Sequence, residues 1–274
     1  LTVTAASLYY ETYGSGPLLL FISGANGDAD IWRPIARTIS SSANFTVAIY
    51  DRRGFSRSYL SSTLPQNYTN RLAVDANDTQ LLIQHLSPRT PATVLGTNSG
   101  AIVALQLLLT YPESLKTLIA HEPPALTLLP DNATLIAAQK TVHATYCATG
   151  IPLAMAQFAL LQDPSFTPVP AGDTGFTIDT RTSPFLSCNL AYWFEREFLQ
   201  YPLQNFTVDM FETAKDKLVL ANGNATDTRG SQYRSNLVLG QGLGLGVDML
   251  AGEHIGYAGS TMAEFASDLL QVLA

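Results

Sequence analysis

Four stretches of the chain hold side chains whose types and surroundings suit acid–base or nucleophilic chemistry. In Val94-Leu95-Gly96-Thr97-Asn98-Ser99-Gly100-Ala101 an apolar run leads into a turn bracketed by two glycines, and a helix-forming run follows. A turn that tight strains its middle residue and projects the side chain above the strand end, and glycine is required where a Cβ would meet neighbouring backbone. A serine at that point would be a nucleophile; this chain has Asn98. In Ala251-Gly252-Glu253-His254 the histidine follows an apolar run and lies in a loop beside a glycine, where an imidazole can hang over the turn and act as a base. A base of this kind needs a carboxylate to fix its tautomer and stabilise the imidazolium. Two candidates compete: Glu122, in His121-Glu122-Pro123-Pro124, and Asp227, in Asn222-Gly223-Asn224-Ala225-Thr226-Asp227. His85, His121 and His143 lack such a context and read as structural or surface residues.

The elements that must position these groups alternate. Ser7 to Tyr13 has the period of a strand, and Leu18 to Ile22, Phe45 to Tyr50, Ala92 to Leu95, Leu115 to Ala120, Leu218 to Leu220 and Val247 to Leu250 read as further strands. Helices are expected after Asp30, over Leu72 to Leu86 with Leu72, Leu81, Leu82 and His85 near one face, over Ser99 to Leu109, near Tyr233, and over Met262 to Leu273. The run from Gly240 to Gly246 reads as the turn before the last strand. Strands alternating with helices imply a mostly parallel sheet covered on both faces, an α/β fold. Leu126 to about Phe211 breaks the rhythm, being rich in Leu, Phe, Tyr and Trp without a buried strand. It is expected to form a helical cap, 126–211, inserted into a core of 1–125 and 212–274.

With the turn, the loops and the element order together, the chain resembles the α/β-hydrolase fold superfamily over nearly its whole length. The turn around Asn98 matches the nucleophile elbow, G-x-S-x-G, with asparagine for serine. Ser23-Gly24-Ala25-Asn26 sits where the family has its H-G-x loop, with Ser23 for the histidine. Tyr50-Asp51-Arg52-Arg53-Gly54-Phe55-Ser56-Arg57-Ser58 is similar to the family's D-x-R-G-x-G-x-S stretch, with Ser56 for the second glycine, and Ala251 to His254 to its histidine loop. The resemblance implies an oxyanion hole from the N–H groups of Ala25 and Ser99. It also bears on the acid. Haloalkane dehalogenases and zearalenone lactonases place theirs after the strand that here precedes Glu122, and most other members place theirs where Asp227 lies. Glu122 is preferred, because a sequon at Asn224 suggests that the second loop faces solvent. Gly24, Asn26, Tyr192 and Trp193 are expected at a substrate pocket, with Tyr192 to Glu197 supplying an aromatic wall and a carboxylate.

Bulk properties narrow the partners. The 274 residues carry a formal charge of -7, and 46% are hydrophobic against 14% charged, which fits a large buried core. Scattered cations argue against nucleic acid, and no apolar run reaches membrane-spanning length, so a small-molecule substrate is expected. No motif suggests a metal, nucleotide or flavin, and catalysis without a cofactor is expected. N-x-T sequons at Asn44, Asn67, Asn77, Asn132, Asn205 and Asn224 point to a secreted or lumenal glycoprotein. The N-terminus at Leu1 fits a processed chain. Cys147 and Cys188 are open to either a disulfide or two free thiols. Oligomeric state is open.

An amide cannot be deprotonated as a serine hydroxyl is, and three readings follow. In the first, the chain uses His254 as a base for elimination, isomerisation or cyclisation of an apolar metabolite, with Asn98 donating to an oxyanion. In the second, it is an ester, lactone or epoxide hydrolase whose Ser or Asp nucleophile has been replaced by Asn98. In the third, it is a catalytically dead ligand-binding protein. The intact histidine and oxyanion loops favour them in that order.

Overall fold

The computed structural model describes residues 1–25, 27–162 and 184–274. The chain opens with an antiparallel ribbon of β1 (Thr2–Val3) and β2 (Ala6–Ser7). Seven further strands, β3 (Tyr10–Gly14), β4 (Leu18–Ile22), β5 (Thr46–Tyr50), β6 (Ala92–Thr97), β7 (Leu115–His121), β8 (Leu218–Gly223) and β9 (Val247–Leu250), form one sheet in the order β3-β5-β4-β6-β7-β8-β9. Only β3 runs antiparallel to its neighbour. The helices are α1 (Arg33–Ser42), α2 (Arg71–Leu86), α3 (Ser99–Thr110), α4 (Asn132–Thr149), α5 (Ile151–Gln162), α6 (Leu186–Arg196), α7 (Ser231–Leu243) and α8 (Met262–Val272).

A strand's side chains alternate between faces, so an apolar run can feed two cores at once. In β4, Leu18, Leu20 and Ile22 pack with Leu82 of α2, Ile102 and Leu105 of α3, and Leu239 of α7. Leu19 and Phe21 face the other way, toward Ile35 and Ile39 of α1 and Phe265 and Leu269 of α8. Helices α4 to α6 lie between β7 and β8 in sequence and share a separate cluster: Val142, Ala154, Leu190, Trp193, Phe194 and Phe198 close around Phe55. Gly150, at φ +85°, makes the turn between α4 and α5.

Some expectations need correction. The first strand is broken: Ala5, at φ +59°, turns the ribbon, and β3 begins only at Tyr10. On α2 the buried face is Leu72, Leu82 and Ile83, while Leu81 is half-buried and His85 is exposed, bonded to the Tyr10 hydroxyl. Helix α7 runs through Gly240 and Gly242 before the chain turns at Gly244, in the left-handed conformation. A Cβ on Gly242 would come within 2.6 Å of Val208 Cγ1, so this glycine serves a close approach rather than a turn. Cys147 and Cys188 are exposed free thiols. Among the described residues no helix is long and apolar enough to cross a membrane.

Candidate active site

Strand β6 ends at Thr97, and Asn98 turns the chain into α3 with φ +51° and ψ -122°. That conformation is costly for a residue with a Cβ, and the packing around it leaves no alternative. A Cβ on Gly96 would lie 2.3 Å from the Gly100 carbonyl oxygen, one on Gly100 would lie 2.3 Å from that of Ile22, and one on Gly24 would lie 2.9 Å from Asn98 Cβ. The elbow and the Gly24 loop are therefore pressed together by glycine on both sides.

Asn98 engages two residues. Its Oδ1 accepts from the Ser99 N–H at 2.8 Å, capping α3 with its own side chain, and from Ser99 Oγ at 3.3 Å. That fixes the carboxamide orientation, so Nδ2 donates to His254 Nε2 at 3.0 Å. An Nε2 that accepts leaves the imidazole proton on Nδ1, which donates it to Glu122 Oε2. Glu122 stands at the end of β7 with φ +48°, fully buried, and its Oε1 accepts from the Gly223 N–H at 2.8 Å. The second candidate acid, Asp227, is bonded to Arg229 instead. The structure thus brings Asn98, His254 and Glu122 into one chain of contacts.

Burial by itself would raise the Glu122 carboxyl, but the hydrogen bond and charge of His254, with the Gly223 N–H, outweigh it and hold it at about 2, against an ordinary 4.5. A carboxylate depressed in this way stabilises the folded chain above its unfolded value, and that contribution disappears as pH falls through the folded one. Glu122→Gln should therefore cost most stability above pH 4.5, with the gap to the parent closing toward pH 2. Urea unfolding midpoints of both proteins at pH 6, 4 and 3 measure it; a gap independent of pH would contradict the assignment. Behind the pair, burial lowers the His121 imidazole to about 4, with Glu122 opposing. His121 is neutral and packed against Tyr257 and Phe265, a core residue as its sequence context suggested. His143 packs on Tyr146 and Phe198, away from these groups.

The loop that carries Ala25 is braced from below. Ser23 donates through Oγ to the Asp28 carbonyl at 2.7 Å and accepts from Trp32 Nε1 at 2.9 Å. The guanidinium of Arg52, fully buried, donates to the carbonyls of Ser23 (2.9 Å) and Gly24 (2.8 Å). It also donates to both oxygens of Glu197 (2.6 and 2.8 Å) and to Asp75 Oδ2 (3.2 Å), which accepts from the Tyr201 hydroxyl at 2.7 Å. Arg52 belongs to the D-x-R-G-like stretch, but its role depends on a partner 145 residues away and was not visible in sequence. Asn26 lies outside the described residues.

Above Asn98 and Ser99 is a closed cavity of about 10 Å³, no larger than one water needs, walled by Leu126, Phe158, Gln162 and Trp193. Trp193 lines this cavity and donates from Nε1 to Ser99 Oγ at 3.1 Å. Tyr192 does not line this cavity: it packs on Gly54 and Phe55, and its hydroxyl accepts from Arg71. On the other side of His254 a cleft of about 420 Å³ opens, lined by Gln162, Thr226, Asp227, Gln232, Glu253 and His254. None of the cavity residues other than Asn98, Ser99 and Trp193 carried a signal in the sequence, since neither an isolated Gln nor Phe in a helical run marks a site.

Comparison with known proteins bears on the fold that carries these groups. Residues 17–146 match a family model described as the alpha/beta hydrolase fold. The uncharacterized hydrolase YraK of Bacillus subtilis is 37% identical over 132 residues, 48% of this chain and 46% of that protein. A zearalenone hydrolase of Cladophialophora bantiana is 34% identical over 134 residues, 48% of each protein. The chain thus spans about half the length of the curated relatives it matches. Among solved structures, a hydrolase from Pseudomonas aeruginosa superposes with a TM-score of 0.73 at 19% identity, covering 100% of this chain and 96% of its own. An enol-lactonase from Burkholderia xenovorans does so with a TM-score of 0.70 at 15% identity, covering 99% and 98%.

Proposed function

Given that this chain has the α/β-hydrolase fold, we propose that it is an enzyme that hydrolyses a small ester or lactone without a cofactor, using His254 as base and Glu122 as its orienting carboxylate. The observation that carries this reading is the Nε2 of His254, its lone pair turned toward the elbow at 3.0 Å from the Asn98 side chain. The names of the relatives favour hydrolysis over the elimination, isomerisation or cyclisation expected from sequence.

With asparagine at the elbow the nucleophile is water. Water replaces the Asn98 amide as the group bonded to Nε2, its oxygen attacks the carbonyl carbon, and its proton passes to Nε2. The resulting oxyanion is held by the N–H groups of Ser99 and Ala25. On collapse the bond from carbonyl carbon to alkoxy oxygen breaks, and the Nε2 proton goes to the leaving alkoxide, giving acid and alcohol. Asn98 slows both events, because Nδ2 competes for Nε2 and Oδ1 occupies the Ser99 N–H. The inserted helices α4 to α6 act as the lid on the acyl side.

The test compares the parent, Asn98→Ser and Asn98→Asp on aryl esters, lactones and epoxides, with His254→Ala added to each. Ester or lactone turnover that rises in Asn98→Ser and vanishes with His254→Ala supports the reading. A gain confined to Asn98→Asp on epoxides would move the chain to epoxide hydrolysis, and tight ligand binding with no turnover in any variant would make it a binding protein.

Secretion is part of the same proposal. Asn44, Asn67, Asn205 and Asn224 are exposed, whereas Asn77 and Asn132 are half-buried in α2 and α4, with Asn77 accepting from the Tyr111 hydroxyl. Expression through a eukaryotic secretory route should add glycans at the four exposed sites, read by peptide mapping before and after glycosidase treatment. Occupancy at none of the four would remove this support.

A further inference from the structure

The cleft beside His254 has a chemical character that the hydrolytic step does not use. Gln232, one of its walls, is almost wholly buried (3% exposed), yet its Oε1 has no hydrogen-bond partner; Oε1 of Gln162 and Oγ1 of Thr226, buried atoms of half-buried residues, also lack one. A buried polar atom left unpaired costs more than a made hydrogen bond returns, so three of them around one cleft mark a place where a partner belongs. The backbone crowds two of them together: a Cβ on Gly230 would lie 3.0 Å from both polar atoms of the Gln232 carboxamide and 2.8 Å from the Gln162 carbonyl oxygen. Glycine at 230 is what lets the end of α5 meet the start of α7.

We infer that this cleft binds the alcohol portion of the substrate and that this portion carries neighbouring free hydroxyl groups, as in a monoester of glycerol or another polyol. Two arguments fix the choice, and the first rests on the hydrolytic reading above. His254 Nε2 must hand its proton to the departing alkoxide, so the alcohol arm lies on the side that His254 lines, and the acyl arm lies in the closed cavity over Asn98 and Ser99. The second stands without it. Carboxamides and a threonine hydroxyl both donate and accept, as a hydroxyl does, whereas the exposed carboxylate of Glu253 at the same cleft disfavours an anionic arm. The acyl cavity, no larger than one water, further limits the acid to an acetyl-sized group.

An ether separates recognition from hydrolysis, because it cannot be cleaved. Binding of 3-ethoxypropane-1,2-diol and of 1-ethoxypropane, which lacks both hydroxyls, is to be measured by ligand-observed NMR on the parent, Gln232→Leu and Gln162→Leu. The expected result is that the diol binds at least about tenfold more tightly than the plain ether to the parent, and that each variant removes most of that difference, the size of one well-made hydrogen bond. Circular dichroism melts confirm that each variant is folded, and the one that is folded decides the matter. Equal binding of the two ethers by the parent, or a preference unchanged in the variants, overturns the inference. Diol binding as expected, with no ester hydrolysis by Asn98→Ser, would leave the cleft assignment standing and remove the hydrolytic one.

Discussion

Asn98→Ser is expected to raise hydrolysis of acetyl esters by about a thousandfold or more, the scale on which loss of a nucleophilic serine is usually felt. Three features of the site carry the expectation. The Nε2 lone pair already reaches the elbow side chain, so a hydroxyl placed there meets a base in the right tautomer. Serine has no carboxamide oxygen, so the Ser99 N–H, now capped by Asn98 Oδ1, becomes available to the oxyanion. The glycines that press the elbow against the Gly24 loop are present, so the geometry does not have to be built. Asn98→Ala gives a smaller effect, a few-fold, because it frees the N–H and the imidazole but adds no nucleophile. Initial rates on an aryl acetate, with and without His254→Ala, make the comparison. Equal rates in the parent, Ser and Ala variants would show that the elbow is not the reacting centre.

The second large effect is structural. Glu197→Ala should destabilise the fold by about 3–5 kcal/mol, the usual consequence of removing one partner of a buried ion pair. For a chain of this size that lowers the melting temperature by about 10 °C. Glu197 and Arg52 are both fully buried, and among the described residues the carboxylates facing Arg52 and Arg71 are those of Asp75 and Glu197, so loss of Glu197 leaves the two guanidinium groups sharing Asp75 there. Burial pushes the Glu197 carboxyl up, and the Arg52 charge opposes it. The bidentate contact at 2.6 and 2.8 Å favours the charged pair. Because the same guanidinium holds the carbonyls of Ser23 and Gly24, activity measured in the Asn98→Ser background should fall through kcat, at temperatures where the variant is still folded. Glu197→Gln, which keeps the shape, should lose less of both. A melting temperature within a degree or two of the parent would mean that the network contributes nothing.

The sequence was most legible where one physical requirement acts alone. Leu18 to Ile22 reads as a buried strand because nothing but a two-sided core takes five apolar residues in a row, and the structure ends β4 at those residues. The glycines at 96 and 100 read as a tight turn for steric reasons, and both would clash if substituted. Glu122 and His254 were singled out by their place after strands and do lie in contact, but the same rule also offered Asp227, which is bonded to Arg229. Legibility failed where a residue's meaning depends on a distant neighbour. Arg52 is an ordinary arginine until Glu197 is known to stand over it, and Gln232 is an ordinary polar residue until α5 brings Gln162 beside it. Gly240 and Gly242 failed for a related reason: glycine spaced by two suggests a turn, but here Val208 and the backbone at Leu245 approach the helix too closely for a side chain.

The bond from Trp193 to Ser99 also has an optical consequence. The chain has two tryptophans. Trp32 is stacked between Phe21 and Tyr257 in the core, while Trp193 faces the cavity above Asn98 with its indole nitrogen on Ser99 Oγ. Anything that fills that cavity alters the surroundings of one emitter and leaves the other as an internal standard, so the unlabelled protein reports its own occupancy by its fluorescence.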